Sequence, residues 1–178
     1  MRIPFVAALA TLSAFAEVKV FPSNKHDVRK FSTYQWQRPP RLITEMGQDD
    51  TTTPLVDTIK SAIDRRLSEK GYREVREGGD MQVVAGAVAG KQSQLEGYLV
   101  TFGFDAYWGY WFGMPYPVQR MNRIGLLFVG LVEAKSNEGI WAGYATEALD
   151  RKPGNLAGTS AKAEQATRKL FRKLPGRK

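Results

Sequence analysis

The hydrophobic periodicity of the chain changes between helical and strand spacing, and these changes limit its fold more than any other feature. Between residues 54 and 70 apolar side chains recur at helical spacing, whereas from Met81 onward they recur at every second position. A second helical pattern closes the chain at residues 163–174. This order predicts an α+β domain, an antiparallel sheet of about five or six strands with two helices packed on one face.

The first helix has clear boundary signals. Thr53 can cap it, Pro54 suits the first helical position, and Gly71 suits a left-handed residue after its last turn. Residues 41–53 are polar and turn-rich and predict an exposed loop. Within it Asp49 and Asp50 are interpreted as solvated residues near the positive end of the helix dipole rather than metal ligands, because no third ligand is spaced with them.

Several short segments have the composition of strands. The segments 17–21 and 30–36 come before the helix, and 81–89, 98–107, 123–133 and 140–147 follow it. The segment 123–133 is almost continuously apolar, which predicts a central strand covered on both faces. Residues 136–139 predict a tight turn to its hairpin partner, where Trp141 is expected to be buried near Phe128 and Leu170.

Residues 1–16 have the pattern of a secretory signal peptide. Arg2 is followed by an apolar run to Phe15, and Ala14-Phe15-Ala16 fits a small-residue cleavage site. The run is shorter than the roughly 18 residues that span a bilayer, and no later run reaches that length. The sequence therefore predicts export, cleavage before Glu17, and a single globular domain over 17–178 without a transmembrane helix.

The charge and the cysteine content restrict partners and chemistry. The formal net charge is +8 and the pI is about 9.8, which favours contact with anionic surfaces. There is no cysteine, so disulfides, thiolate catalysis, cysteine metal sites and a lipid anchor on cysteine are impossible. We therefore expect a periplasmic protein, or one peripherally associated with the outer membrane, that is not a lipoprotein.

No residue pattern predicts a catalytic, metal or cofactor site. His26 is the only histidine, lies in a polar stretch and is expected to be exposed and inactive. The segment 86–91 lacks the spacing and the Ser or Thr of a phosphate-binding loop, and it lies between strands. A hydrolase with two carboxylates brought together by folding is the remaining enzymatic alternative.

An aromatic segment is the strongest candidate for a contact surface. Glycines and Pro115 interrupt the strand pattern after Tyr107, which predicts a loop or hairpin tip. Two interpretations stay open: the rings cover the core, or they meet a membrane, a glycan or another protein. Nucleic acid is not expected, because of export and because residues 108–114 contain no Lys or Arg. The candidate contact residues are Tyr107, Trp108, Tyr110, Trp111, Phe112 and Tyr116.

The basic residues at the end of the chain have a simpler interpretation. Arg168, Lys169, Arg172 and Lys173 lie in or just after the last helix, followed by Arg177 and Lys178. We interpret them as a solvated face favoured by the helix dipole.

The order of these motifs resembles a family of bacterial envelope proteins, the domain-of-unknown-function family 4136. The resemblance rests on segments 31–36, 64–72, 80–83, 140–143 and 169–175 together with the glycine-aromatic loop, and it spans the chain after residue 16. Many members resemble lipoproteins, a property that does not carry over because this chain lacks cysteine. The resemblance implies an envelope location and a fold, and it implies no catalytic residues. We expect an exported binding or structural module that is not an enzyme and has no cofactor.

Overall fold

Three long antiparallel strands form the centre of the sheet in the computed structural model, which describes residues 17–43, 49–50, 54–90, 124–148 and 156–177. They are β6 (Met81–Gly90), β7 (Ile124–Glu133) and β8 (Gly139–Ala148), paired in that order. β1 (Val18–Pro22) adds antiparallel to the outer edge of β8. The hairpin predicted around residues 136–139 is confirmed, with Asn137 at φ 60° in its turn.

The other half of the sheet is parallel, so the prediction of a purely antiparallel sheet is wrong. β2 (Thr33–Trp36) and β3 (Arg41–Ile43) run parallel to β6, and β5 (Arg73–Glu74) runs parallel to β2. β4 (Asp49–Asp50) pairs antiparallel with β3. The parallel direction follows because α1 (Pro54–Glu69) lies between β3 and β6 in the chain, and a helical crossover returns the chain in its original direction.

The predicted helices are confirmed as α1 and α2 (Leu156–Phe171), which contribute to one core on the same face of the sheet. Ile63, Leu67 and Leu170 have no exposed surface there. Gly71 ends α1 at φ 87°, as the sequence predicted. Gly143 lets α2 approach the sheet, because a Cβ at this position would lie 2.6 Å from Leu170 Cδ1.

The central strand β7 is buried on both faces, as predicted. Its helix-facing residues join the main core, while Leu126, Phe128 and Val132 pack on the opposite face with Ala142 and Tyr144. Trp141 is 1% exposed, as expected, and its ring lies 5.9 Å from that of Phe171. Phe128 is not its neighbour, because Trp141 pairs with Leu131, and residues three apart on a strand face opposite sides.

Residues 41–53 are not simply a loop, since β3 and β4 lie within them and Leu42 is buried. The sequence pattern missed these strands because they are only three and two residues long. The predicted signal peptide, the predicted strand 98–107 and the aromatic segment lie outside the described residues.

Candidate functional site

One end of the sheet is where the longest connection between the described elements, residues 91–123, both leaves and returns. At this end Gly90 and Ala148 are both aligned with Ile124 on neighbouring strands, and β3 reaches the level of Val88. The connections 91–123 and 149–155 leave from this end. Glu17, the residue before β1, lies beside Thr146 at the same end. We call this the cleft end, after the feature described next.

An apolar cleft lies at this end between α1, α2 and the sheet. It encloses about 420 Å³ of space, part of it open to solvent. Most of its wall is aliphatic, and several of the wall residues are small, so the two helices and the sheet do not close over one another. The lining residues are Leu42, Leu55, Ile59, Ala87, Val88, Gly125, Leu126, Leu127, Ala145, Glu147, Thr159, Lys162, Ala163 and Ala166.

A single carboxylate belongs to the described wall of the cleft. Glu147 Oε1 accepts a hydrogen bond from Lys169 Nζ at 2.6 Å, so its charge is already balanced. Hydrolysis by a carboxylate pair needs a second carboxylate about 5–9.5 Å away. Within the described residues the wall supplies none, and no group of three or more His, Asp or Glu side chains there could hold a metal.

The opposite end of the sheet, the turn end, carries the connections 23–32, 70–80 and 134–138 and the tail 172–177. Asp80 fastens β2 to β6 there: its Oδ2 accepts hydrogen bonds from Ser32 N, Ser32 Oγ and Thr33 N, each at 2.9 Å. Thr33 Oγ1 in return accepts from Asp80 N at 3.0 Å. These donors, above all the two backbone N–H groups, hold the pKa of Asp80 at about 2.

The lone histidine also belongs to the turn end, where it is half-buried rather than exposed as predicted. His26 Nε2 lies 2.6 Å from Glu138 Oε2, and Lys25 Nζ lies 3.3 Å from Oε1 of the same carboxylate. His26 and Lys25 therefore hold the pKa of Glu138 below its usual value. The pair fastens the segment after β1 to the β7–β8 turn, a contact between positions 112 residues apart that no local pattern could indicate.

A third polar cluster joins α1 to β2. Asp64 Oδ1 accepts from Tyr34 Oη at 3.0 Å and from Trp36 Nε1 at 2.8 Å, and its Oδ2 accepts from Lys60 Nζ at 2.7 Å. Lys60 also lies 5.2 Å from the Trp36 ring centroid, within cation–π distance. Burial and the Asp64 carboxylate together raise the pKa of Tyr34. Each polar side chain of this cluster has a partner within the fold, so we interpret its role as structural.

The six aromatic candidates between Tyr107 and Tyr116 lie outside the described residues, so their role as a contact surface stays a prediction. What the structure does place is the origin of their connection: the chain leaves at Gly90 and returns at Ile124, next to the cleft. Sequence reasoning missed the cleft. The small residues Ala87, Ala145 and Ala163 were the available signal, but each was interpreted only as a helix or strand position.

The fold and the cleft define a small α+β domain with a mixed sheet and a layer of two helices on one face. Within the described residues no helix is long and apolar enough to cross a membrane. The chain belongs to the family described as Domain of unknown function (DUF4136), whose model matches residues 18–176. The resemblance drawn from the sequence motifs is thereby confirmed.

Solved structures with the same fold come from several bacteria. A DUF4136 family protein from Bacteroides thetaiotaomicron is 19% identical with a TM-score of 0.61, over 89% of this chain and 95% of that one. The PelC dodecamer from Paraburkholderia phytofirmans is 10% identical with a TM-score of 0.51, over 92% and 100%. A PDZ domain protein from Parabacteroides distasonis is 13% identical with a TM-score of 0.56, over 92% and 37%. No curated protein matches the chain.

Proposed function

We propose that this chain is exported to the bacterial cell envelope and acts there as a non-enzymatic binding or structural module, with the aromatic segment 107–116 as its contact surface. The observation that carries the proposal is the shared position of two apolar features. The connection that holds the aromatic residues is tied at both of its ends, Gly90 and Ile124, to the end of the sheet where the apolar cleft opens.

The chemistry of the segment suits a contact surface. Tyr and Trp combine an apolar ring with a polar group, so they occur at interfaces that are partly wet. Placed beside an aliphatic cleft, they would extend a single apolar surface, and such surfaces mark sites of interaction with membranes, glycans or other proteins. The partner classes are therefore an anionic membrane surface, an envelope glycan or another envelope protein.

The export part of the proposal is supported by where the fold begins. β1 starts at Val18, two residues after the predicted cleavage site, and Glu17 N donates to Thr146 Oγ1 at 3.1 Å. Removal of residues 1–16 would therefore leave the described sheet complete. Within the described wall of the cleft the one carboxylate is ion-paired, which supports a binding role over the alternative of an exported hydrolase acting on an envelope polymer.

Export is tested by expressing the tagged chain and determining its N-terminus and its compartment. We expect periplasmic recovery with Glu17 as the first residue, because residues 1–16 carry the three regions of a signal peptide. A chain that keeps Met1 and stays in the cytoplasm would contradict the envelope role.

The contact surface is tested with the triple variant Trp108→Ser, Trp111→Ser and Phe112→Ser. If these rings face water, the melting temperature stays nearly constant, and acrylamide quenching of tryptophan fluorescence falls strongly. It falls because the remaining tryptophans are Trp36, half-buried and hydrogen-bonded to Asp64, and Trp141, which is 1% exposed. A loss of several kcal/mol of stability would instead show that the rings cover the core.

A further inference from the structure

The turn end gathers basic residues from three separate segments of the chain. The tail after α2 folds back onto the end of α1, where Arg177 N donates to Lys70 O at 2.9 Å and Tyr72 Oη donates to Pro175 O at 2.9 Å. Burial raises the pKa of Tyr72 to about 12. Arg177, Asp27 and Arg29 are its charged neighbours, so the helical turn at residues 28–30 also lies at the turn end.

The positive charge at this end is not balanced by the described acidic residues. Asp27 is bound to Arg29 at 2.8 Å, and Glu69 is bound to Arg66 at 2.7 Å, so these two carboxylates already have partners. The exposed Glu77 makes no ion pair within the described ranges, but one carboxylate does not offset the cations of this end. On the loop to β6, Asp80 is held by Ser32 and Thr33. Six cations from residues 28–30, 70–73 and 172–177 make no ion pair within the described ranges: Lys30, Lys70, Arg73, Arg172, Lys173 and Arg177. Arg76 and Lys135, also at the turn end, make none there either.

Elsewhere on the described surface several basic side chains are bound to acidic ones, although Arg38 and Arg168 make no ion pair there. Lys60 is bound to Asp64 and Glu74, Arg65 to Glu164, and Lys169 to Glu147. Helix dipoles explain only part of the cluster, because their effect is confined to the last turn of a helix. Arg73, Arg177 and Lys30 lie outside both helices, and all three are exposed.

We propose that these six cations, the basic turn end, dock the domain on a surface of anionic phospholipid headgroups. This inference rests on the proposed envelope location and is independent of the aromatic segment. The charges lie at the ends of separate elements instead of along one strand or helix, which suits a plane of many headgroups. β6 and β7, which run between the two ends, each have 10 residues and are therefore about 33 Å long. A domain docked through the turn end would hold its cleft end about that far from the headgroups, accessible to a second partner.

The test is cosedimentation of the purified, exported chain with phosphatidylcholine vesicles, with and without phosphatidylglycerol. The double variant Arg172→Gln and Lys173→Gln removes two exposed charges from the basic turn end. The matched control Arg38→Gln and Arg65→Gln removes two exposed charges elsewhere. Each Lys or Arg near an anionic surface contributes about a 5-fold change in affinity, so the double variant should bind roughly 30-fold more weakly.

We expect binding only to vesicles that contain phosphatidylglycerol, loss of binding in the double variant and little change in the control. Binding should also weaken at high salt, because the Debye length falls from about 10 Å at 0.1 M to about 3 Å at 1 M. Equal losses in both variants, or binding to soluble dextran sulfate but not to vesicles, would overturn the proposal. The triple aromatic variant should still bind, so this proposal and the aromatic contact surface can fail separately.

Discussion

The two ends of the sheet are stabilised in different ways. At the turn end polar contacts hold the connections: Asp80 with Ser32 and Thr33, and His26 with Glu138. At the cleft end the described helices and strands border an aliphatic space of about 420 Å³ that is partly open to solvent, and the connection 91–123 leaves and returns beside it. The difference lies in the type of interaction: hydrogen bonds and ion pairs fix the turn end, whereas the described part of the cleft end offers mainly apolar surface.

The largest effect should come from a matched pair of leucines on β7. Leu131 has no exposed surface and packs near the turn end, whereas Leu127 lines the cleft. We expect Leu131→Ala to cost about 4 kcal/mol and Leu127→Ala about 2 kcal/mol, because a cavity costs less where the site is already open and can relax. Denaturant unfolding of both variants measures the difference. Equal costs would mean that the cleft wall is packed as tightly as the core.

Asp80 tests whether the turn end depends on its hydrogen bonds. Its folded pKa of about 2 lies below the ordinary value, so its stabilisation is present above pH 4 and is lost as the pH falls through 2. Because Asp80 is exposed, solvent screening reduces the expected contribution to about 1 kcal/mol. Asp80→Asn should therefore lower stability at pH 7 and converge with the unmodified chain near pH 2, as measured by thermal melts at a series of pH values.

Glu77→Gln is the control for Asp80, since it removes an exposed carboxylate from the same connection. The control should change stability by less than about 0.5 kcal/mol. A pH profile of Asp80→Asn that stays parallel to that of the unmodified chain would show that the three donors on Oδ2 do not stabilise the fold.

A smaller effect of opposite sign should follow from filling the cleft. Ala163→Leu on α2 adds apolar volume to the cleft wall and should raise stability by about 0.5–1 kcal/mol. Ala62→Leu, at a buried position of α1 outside the cleft, should instead cost about 1–3 kcal/mol through overpacking. Destabilisation of similar size in both variants would mean that the cleft cannot accept additional atoms.

The smallest effect should come from His26→Ala. The His26–Glu138 contact is close, at 2.6 Å, but both side chains are partly exposed, at 21% and 28%. Exposed pairs of this kind are worth about 0–1 kcal/mol, so the melting temperature should change little and no cellular function should be lost. A folded variant without function would revive the enzymatic alternative.

Prediction from the sequence succeeded where the signal is local. α1 begins at Pro54 and ends before Gly71, because proline and glycine act on the backbone through their own conformational limits. The faces of β6 were also predicted, with Met81, Val83 and Ala85 in the main core, because alternation follows directly from the geometry of a strand. For the aromatic contact surface the sequence supplied the residue types but not their arrangement in space. Its position stays a prediction, because the aromatic residues lie outside the described ranges.

The amino-acid sequence by itself determined the periodic elements, the family and the opening with the pattern of a signal peptide. Tertiary structure alone decided the parallel direction of β2 and β3, the apolar cleft, and the Asp80 and His26 contacts. The physical reason is the range of the interactions. The face of a helix or a strand depends on residues a few positions apart. Thr33 and Asp80 are 47 positions apart, and His26 and Glu138 are 112 positions apart, so these pairs meet only in the tertiary structure.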